Sequence, residues 1–346
     1  MTILTNQQTN RQIGNKQRVE WIDLAKGIGI ICVVFGHTVI PYIPAYIIYP
    51  FHVPLFFMLS GFCFRKKENE SFGYFVLKKI KSLLVPYAFF SLIWIIYESI
   101  VYTINNGFSF SFLINETVLY VKQDHLHAIW FITCIFLVEL LAYFIVFVCN
   151  DKNYLLILSA SLFVLLTYFY KTFIDVRLFW NAEIVLPAMP FFLFGYVVKK
   201  QKEFFEKLTN LKLIPVYLVL YVIIGFLNIK FTGQSVDMWA NSYGNILLFN
   251  LAAFLGSFFV ISTSIVIRRI SVINYIGRNS LIIFSLHQIV MKICRDYVFK
   301  FDMSRGKFVF REVLTFFVSI LVIVCINEVI KKTPLVWLIN GCNKKQ

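Results

Sequence analysis

The run Ile129-Trp-Phe-Ile-Thr-Cys-Ile-Phe-Leu-Val-Glu-Leu-Leu-Ala-Tyr-Phe-Ile-Val-Phe-Val-Cys149 decides the architecture. Its only charged side chain is Glu139. Coiled as an α-helix it is about 30 Å long, the thickness of a bilayer's hydrocarbon core. Similar runs recur at 24–40, 47–64, 83–104, 154–170, 184–198, 214–229, 245–267, 280–299 and 309–330. Together they predict an all-α integral membrane protein of about ten transmembrane helices. The first, fifth, sixth and seventh runs are short.

Composition points the same way. Of 346 residues, 59% are hydrophobic and 15% are charged, against about 25% charged in a soluble domain. Mean hydropathy is +0.74. So much apolar surface would aggregate in water, and membrane lipid is the first expected partner. No linker divides the chain. A polar cytoplasmic tail (1–20), one transmembrane domain (21–335) and a short basic tail (336–346) are expected. The first tail is rich in Gln, Asn and Thr and lacks the apolar core of a signal peptide, so the first apolar run should stay as a helix. No internal repeat of the kind common in transporters is visible.

The net charge of +15 is spread over short segments between apolar runs, which argues for membrane-edge Lys and Arg and against nucleic acid. The basic residues concentrate in alternate loops: Arg65 to Lys67 with Lys78, Lys79 and Lys81, then Lys152, Lys199 to Lys212, Arg268, Arg269 and Arg278. The C-terminal tail adds Lys331, Lys332, Lys344 and Lys345. This asymmetry fits both termini in the cytoplasm, and a multi-pass protein of the cell's inner (cytoplasmic) membrane is expected. Lys292, Arg295, Lys300, Arg305, Lys307 and Arg311 break the pattern. Either the ninth helix is misplaced, or this cluster faces something anionic outside. The seven cysteines have no C-x-x-C spacing, and neither a disulfide framework nor a metal site is expected.

Ionisable groups inside a bilayer are costly and are candidates for function. The first helix reads Glu20-Trp-Ile-Asp-Leu-Ala-Lys-Gly-Ile-Gly-Ile-Ile-Cys-Val-Val-Phe-Gly-His37. Lys26 and His37 lie about three turns and roughly 16 Å apart on one face. That suits coenzyme A, with phosphates at Lys26 and the thioester at His37. The competing reading has Lys26 snorkelling to headgroups and His37 bonding a neighbouring helix. His52 stands near the outer end of the second helix, either in the same cavity or at the interface. Lys78, Lys79 and Lys81 precede the third helix, where they bind phosphate or anchor the helix. Asp124, His125 and His127 form a polar group before the fourth helix, as an acceptor site or a solvated loop. His287 lies in the ninth helix. Glu139, Glu183 and Glu328 are the carboxylates available to orient a histidine.

Taken together, these residues resemble acyltransferase family 3, the membrane O-acyltransferases of sugars, and most of all its fucose 4-O-acetylase-like branch. The family's opening Asp, basic residue and histidine match Asp23, Lys26 and His37. Its next hallmark matches Phe51-His-Val-Pro-Leu-Phe-Phe-Met-Leu-Ser-Gly-Phe62. The basic run before Leu-x-x-Pro-Tyr matches Lys78 to Tyr87. Trp130-Phe131, then Gly277, Ser280, Leu281 and His287, complete the order over about residues 20 to 335. Many relatives carry Arg where this chain has Lys26, Lys79 and Lys81, and a basic residue where it has Ser82. Lysine keeps the charge and gives up the bidentate grip on phosphate.

The resemblance implies an enzyme that moves an acetyl group from cytoplasmic acetyl-CoA to a hydroxyl of a surface glycan or its lipid-linked oligosaccharide precursor. It implies a catalytic His37 and assistance to acyl-CoA from Lys26, Lys78, Lys79 and Lys81. His37 is expected to act as general base on the hydroxyl, or to carry the acyl group itself. His52 is expected to bind the acceptor or pass the proton. Two other classes share the same composition: a polysaccharide transporter or flippase, and a synthase subunit. Neither needs acyl-CoA.

Overall fold

The computed structural model describes residues 19–38, 44–66, 70–123, 127–299 and 305–339. The expectations for the two tails outside these ranges, and for Lys67, Asp124, His125, Lys300 and the side chain of Arg305, lie outside the described residues. In chain order the helices are α1 (Glu20–Gly36), α2 (His52–Cys63), α3 (Phe72–Lys79), α4 (Val85–Asn106) and α5 (Phe110–Lys122). Next come α6 (Trp130–Val148), α7 (Asn153–Phe173), α8 (Val185–Lys200), α9 (Lys202–Leu208) and α10 (Ile214–Thr232). The chain continues through α11 (Ile246–Ile267), α12 (Ser271–Arg278), α13 (Ser280–Ile293), α14 (Arg305–Ile330) and α15 (Val336–Ile339). Among the described residues there is no strand, only an isolated bridge between Asp237 and Ser242.

Eight helices among the described residues are long and apolar enough to cross a membrane, which makes this a multi-pass membrane protein. The expected first and ninth spans are not among them: α1 has 17 residues, and α13, which continues through a π-turn at Cys294–Val298, carries Lys292, Arg295 and Asp296. The third span begins earlier than expected. Helix runs unbroken over Phe72–Asn106, so Lys78, Lys79 and Lys81 are helical residues and not a preceding loop. A π-turn at Ile80–Leu84 carries the helix past Pro86, which has no N–H to give to the ladder.

Helix α1 lies between two apolar clusters, giving Ala25 to one and Ile30, Val33 and Val34 to the other. The outer helices α7 and α10 show lipid a surface of Leu158, Leu162, Leu165, Val219, Val222 and Phe226. Lipid tails are as apolar as leucine, so helices here associate through close packing. Glycines supply it at two crossings. A Cβ on Gly61 of α2 would lie 1.9 Å from the Phe192 carbonyl oxygen of α8, and one on Gly195 would lie 2.1 Å from the Met58 oxygen. Helix α12 meets α1 in the same way, with Gly277 against the Asp23 carbonyl at 1.8 Å.

The α2–α8 contact is therefore backbone on backbone, and Gly61→Ala must separate the helices. We expect a loss of about 1–3 kcal/mol, read as a lower melting temperature in detergent. Gly73→Ala on α3 has open space around its Cβ and is the neutral control.

Candidate active site

Helix α1 was expected to run to residue 40 and stops at Gly36, with His37 at its C-terminal cap (φ −92°, ψ 3°). Its last carbonyls are each bonded by a neighbouring side chain. The Thr38 hydroxyl donates to Phe35 O at 2.6 Å, and Tyr49 Oη donates to Gly36 O at 2.8 Å. Arg295 Nη2 donates to His37 O at 2.8 Å. His37 is thus fixed by its own backbone at the point where the helix ends.

Beyond that end lies a cavity of about 190 Å³, lined by His37, His52, Tyr49, Gln288, Trp130, Phe131, Asp237 and Trp239, among others. The structure brings the two expected catalytic histidines to one space. His52 Nδ1 donates to Ile48 O at 2.9 Å. Gln288 spans the gap between α13 and α1. Its Oε1 accepts from the Ala128 N–H at 2.7 Å, and its Nε2 lies 3.2 Å from His37 Nδ1. Behind His37 stands the fully buried His287, with ring centroids 4.9 Å apart. His287 Nδ1 donates to Phe284 O at 2.7 Å.

One wall of the cavity is the connection 233–245. Asp237 and Ser242 exchange backbone hydrogen bonds at 2.8 and 2.9 Å. Asp237 Oδ1 accepts from the Trp239 and Ala240 N–H groups at 2.9 and 3.3 Å. Burial raises the Asp237 pKa above the ordinary carboxylate range, against the pull of those two donors and of Arg177. The Arg177 guanidinium lies 4.5 Å from the Trp239 ring centroid and donates to Trp239 O at 2.5 Å. Asn228 Nδ2 donates to Tyr243 O at 2.9 Å, and Asn228 Oδ1 accepts from Asn245 N at 2.8 Å.

Three residues of the basic cluster that broke the loop-charge pattern have internal partners. Arg295 and Arg311 converge on the fully buried Glu312 at 2.7 and 3.1 Å. Lys292 pairs with Glu98 at 2.9 Å. These three are held by internal carboxylates. His127, expected in a polar acceptor group, stacks on Trp94 at 3.6 Å with Glu98 Oε1 4.0 Å away.

The other sequence candidates are not at the cavity. Lys26 lies down α1, half-buried, with no ion pair among the described residues. Lys78 pairs with Glu70 at 3.3 Å and Lys79 with the buried Glu139 at 2.5 Å, while Lys81 is exposed. None of the three carboxylates singled out from sequence touches His37. Glu139 holds Lys79, Glu183 holds Arg177 at 3.7 Å, and Glu328 holds Lys331 at 2.7 Å. The group on the His37 ring is an amide. Sequence reading missed Gln288, Tyr49, Asp237 and Trp239. Glu312 carried a signal that went unused, a carboxylate beginning a long apolar run.

A family model described as an acyltransferase domain matches residues 19–328. No curated protein and no solved structure matches the chain.

Glu312 neutralises two guanidinium groups in a buried setting. Glu312→Gln should cost about 3 kcal/mol or more, seen as a fall in melting temperature that Asp at the same position partly reverses.

Proposed function

The chain belongs to acyltransferase family 3, and from that premise we propose that it moves an acetyl group from cytoplasmic acetyl-CoA to a hydroxyl of a cell-surface polysaccharide or of its lipid-linked precursor. One observation carries the reading. His37 and His52, from separate helices, face one cavity whose other walls hold aromatic rings and a carboxylate. Imidazole has a near-neutral proton affinity and suits removal of a hydroxyl proton as the oxygen attacks a thioester. A water-poor cavity limits hydrolysis of the donor.

The remaining walls fit a sugar. Trp239, Trp130 and Tyr49 line the cavity with aromatic rings that suit the C–H faces of a pyranose, and Asp237 brings a carboxylate suited to its hydroxyls. The motif likeness to the fucose 4-O-acetylase-like branch supports the same acceptor class. Lys26 and Lys81, without ion pairs among the described residues, and Lys78, which is exposed, are our candidates for the coenzyme A phosphates. Lys79 is engaged by Glu139, and we give it the role of holding α3 on α6 beside them. With both termini in the cytoplasm, the lysines face the donor's compartment and His37 lies towards the far side of the bilayer.

The deciding experiment follows label from acetyl-CoA to crude lipid-linked glycan in proteoliposomes. Wild type should transfer it, and His37→Ala should lower the rate at least about 100-fold. No transfer by wild type, with glycan still crossing the bilayer, would point to a transporter. Trp239→Ala should raise the acceptor KM about tenfold and leave the acetyl-CoA KM unchanged. As pH falls through the raised Asp237 pKa the carboxylate is lost, so the acceptor KM should climb on the acid side, and Asp237→Asn should abolish that climb.

A further inference from the structure

Resting on the acyl-transfer reading, we propose that Gln288 fixes the protonation form of His37, so that His52 takes the acceptor proton while His37 donates a hydrogen bond to the oxygen that gains charge. This reverses the roles expected from sequence.

The argument begins with a backbone N–H, which can only donate. The Gln288 atom 2.7 Å from Ala128 N must therefore be the carbonyl oxygen. Its amide nitrogen is then the atom 3.2 Å from His37 Nδ1, and an amide nitrogen donates. Nδ1 receives that hydrogen on its lone pair. Neutral His37 consequently carries its own hydrogen on Nε2.

His52 has the opposite form. A carbonyl only accepts, so the Ile48 contact puts the hydrogen on Nδ1 and leaves the lone pair on Nε2. His287 is arranged like His52, and its buried Nε2 has no partner among the described residues. No hydrogen bond joins it to His37 among the described residues, and it is not part of the cavity lining. Of the two histidines that line the cavity among the described residues, one offers a lone pair and the other an N–H.

The chemistry balances on that division. The acceptor hydroxyl gives its proton to His52 Nε2 as its oxygen bonds the thioester carbonyl carbon. The carbonyl oxygen gains the charge and accepts from His37 Nε2–H. Collapse breaks the carbon–sulfur bond, and the departing thiolate recovers the proton from His52. The products are the ester and free coenzyme A. Gln288 touches neither reactant and is a positioning residue.

Glutamine at position 37 retains an N–H donor and cannot act as a base. In the proteoliposome assay His37→Gln should stay at least about tenfold more active than His37→Ala and keep the wild-type rise of rate with pH. His52→Gln should lose about 100-fold or more and lose that rise. A His37→Gln protein no better than His37→Ala, or a His52→Gln protein within a few-fold of wild type, overturns the assignment. Wild-type transfer itself tests the reading on which the inference rests, separately from this pattern. A second measurement needs no turnover. The chain has five histidines, so nitrogen-15 spectra can be assigned by difference. Neutral His37 should show its hydrogen on Nε2 in wild type and on Nδ1 in Gln288→Glu, whose carboxylate only accepts. The same form in both proteins overturns the role of Gln288.

Discussion

A helix that ends within a bilayer leaves carbonyl groups that no water reaches, and each must find a donor in the protein. The end of α1 at Gly36 is buried, and much of the structure around the site follows from how its carbonyls are bonded. Thr38 bonds one carbonyl locally. Tyr49 bonds the next and draws in the segment that leads to α2, and so to His52. Arg295 bonds the third from the π-turn that follows α13. An arginine brought into this setting needs a counter-charge, and the fully buried Glu312 of α14 supplies it while also holding Arg311. One early helix stop thus accounts for the placement of two histidines and one buried ion cluster.

The apolar runs were legible because the bilayer demands them, and eight of the expected spans meet the length it requires. The other two are α1, which is short and ends at His37, and the helix of α13, which carries His287, Gln288 and three charged residues near its end. Such polar residues in apolar runs are what a site inside a membrane protein looks like from sequence. The eleven-residue step from Lys26 to His37 could be read from helix geometry alone. The partners of His37 could not. Gln288 lies 251 positions along the chain and Arg295 lies 258. Nothing local marks an amide or a guanidinium as belonging to a histidine so distant. Glu139 misled for the same reason, since its partner Lys79 lies on another helix, whereas Glu328 pairs with Lys331 three positions on, a partner that helix spacing already offered.

The helix contacts divide by chemistry. Where α2 crosses α8 and α1 crosses α12, glycines let backbones touch. Where α3 meets α6, and where α4 meets α13, a lysine and a glutamate are paired instead. Close packing sets the distances between helices, and the ion pairs resist rotation or sliding that would strand a charge in hydrocarbon.

The segment 233–245 is held by its own bridge, by Asn228 and by Arg177. The ordering entropy of those contacts is spent when the chain folds. Under the proposed function an acceptor would meet a connection already tied by its own hydrogen bonds, and a change of acceptor would run through the residues of this one short connection while the histidines behind it stay in place.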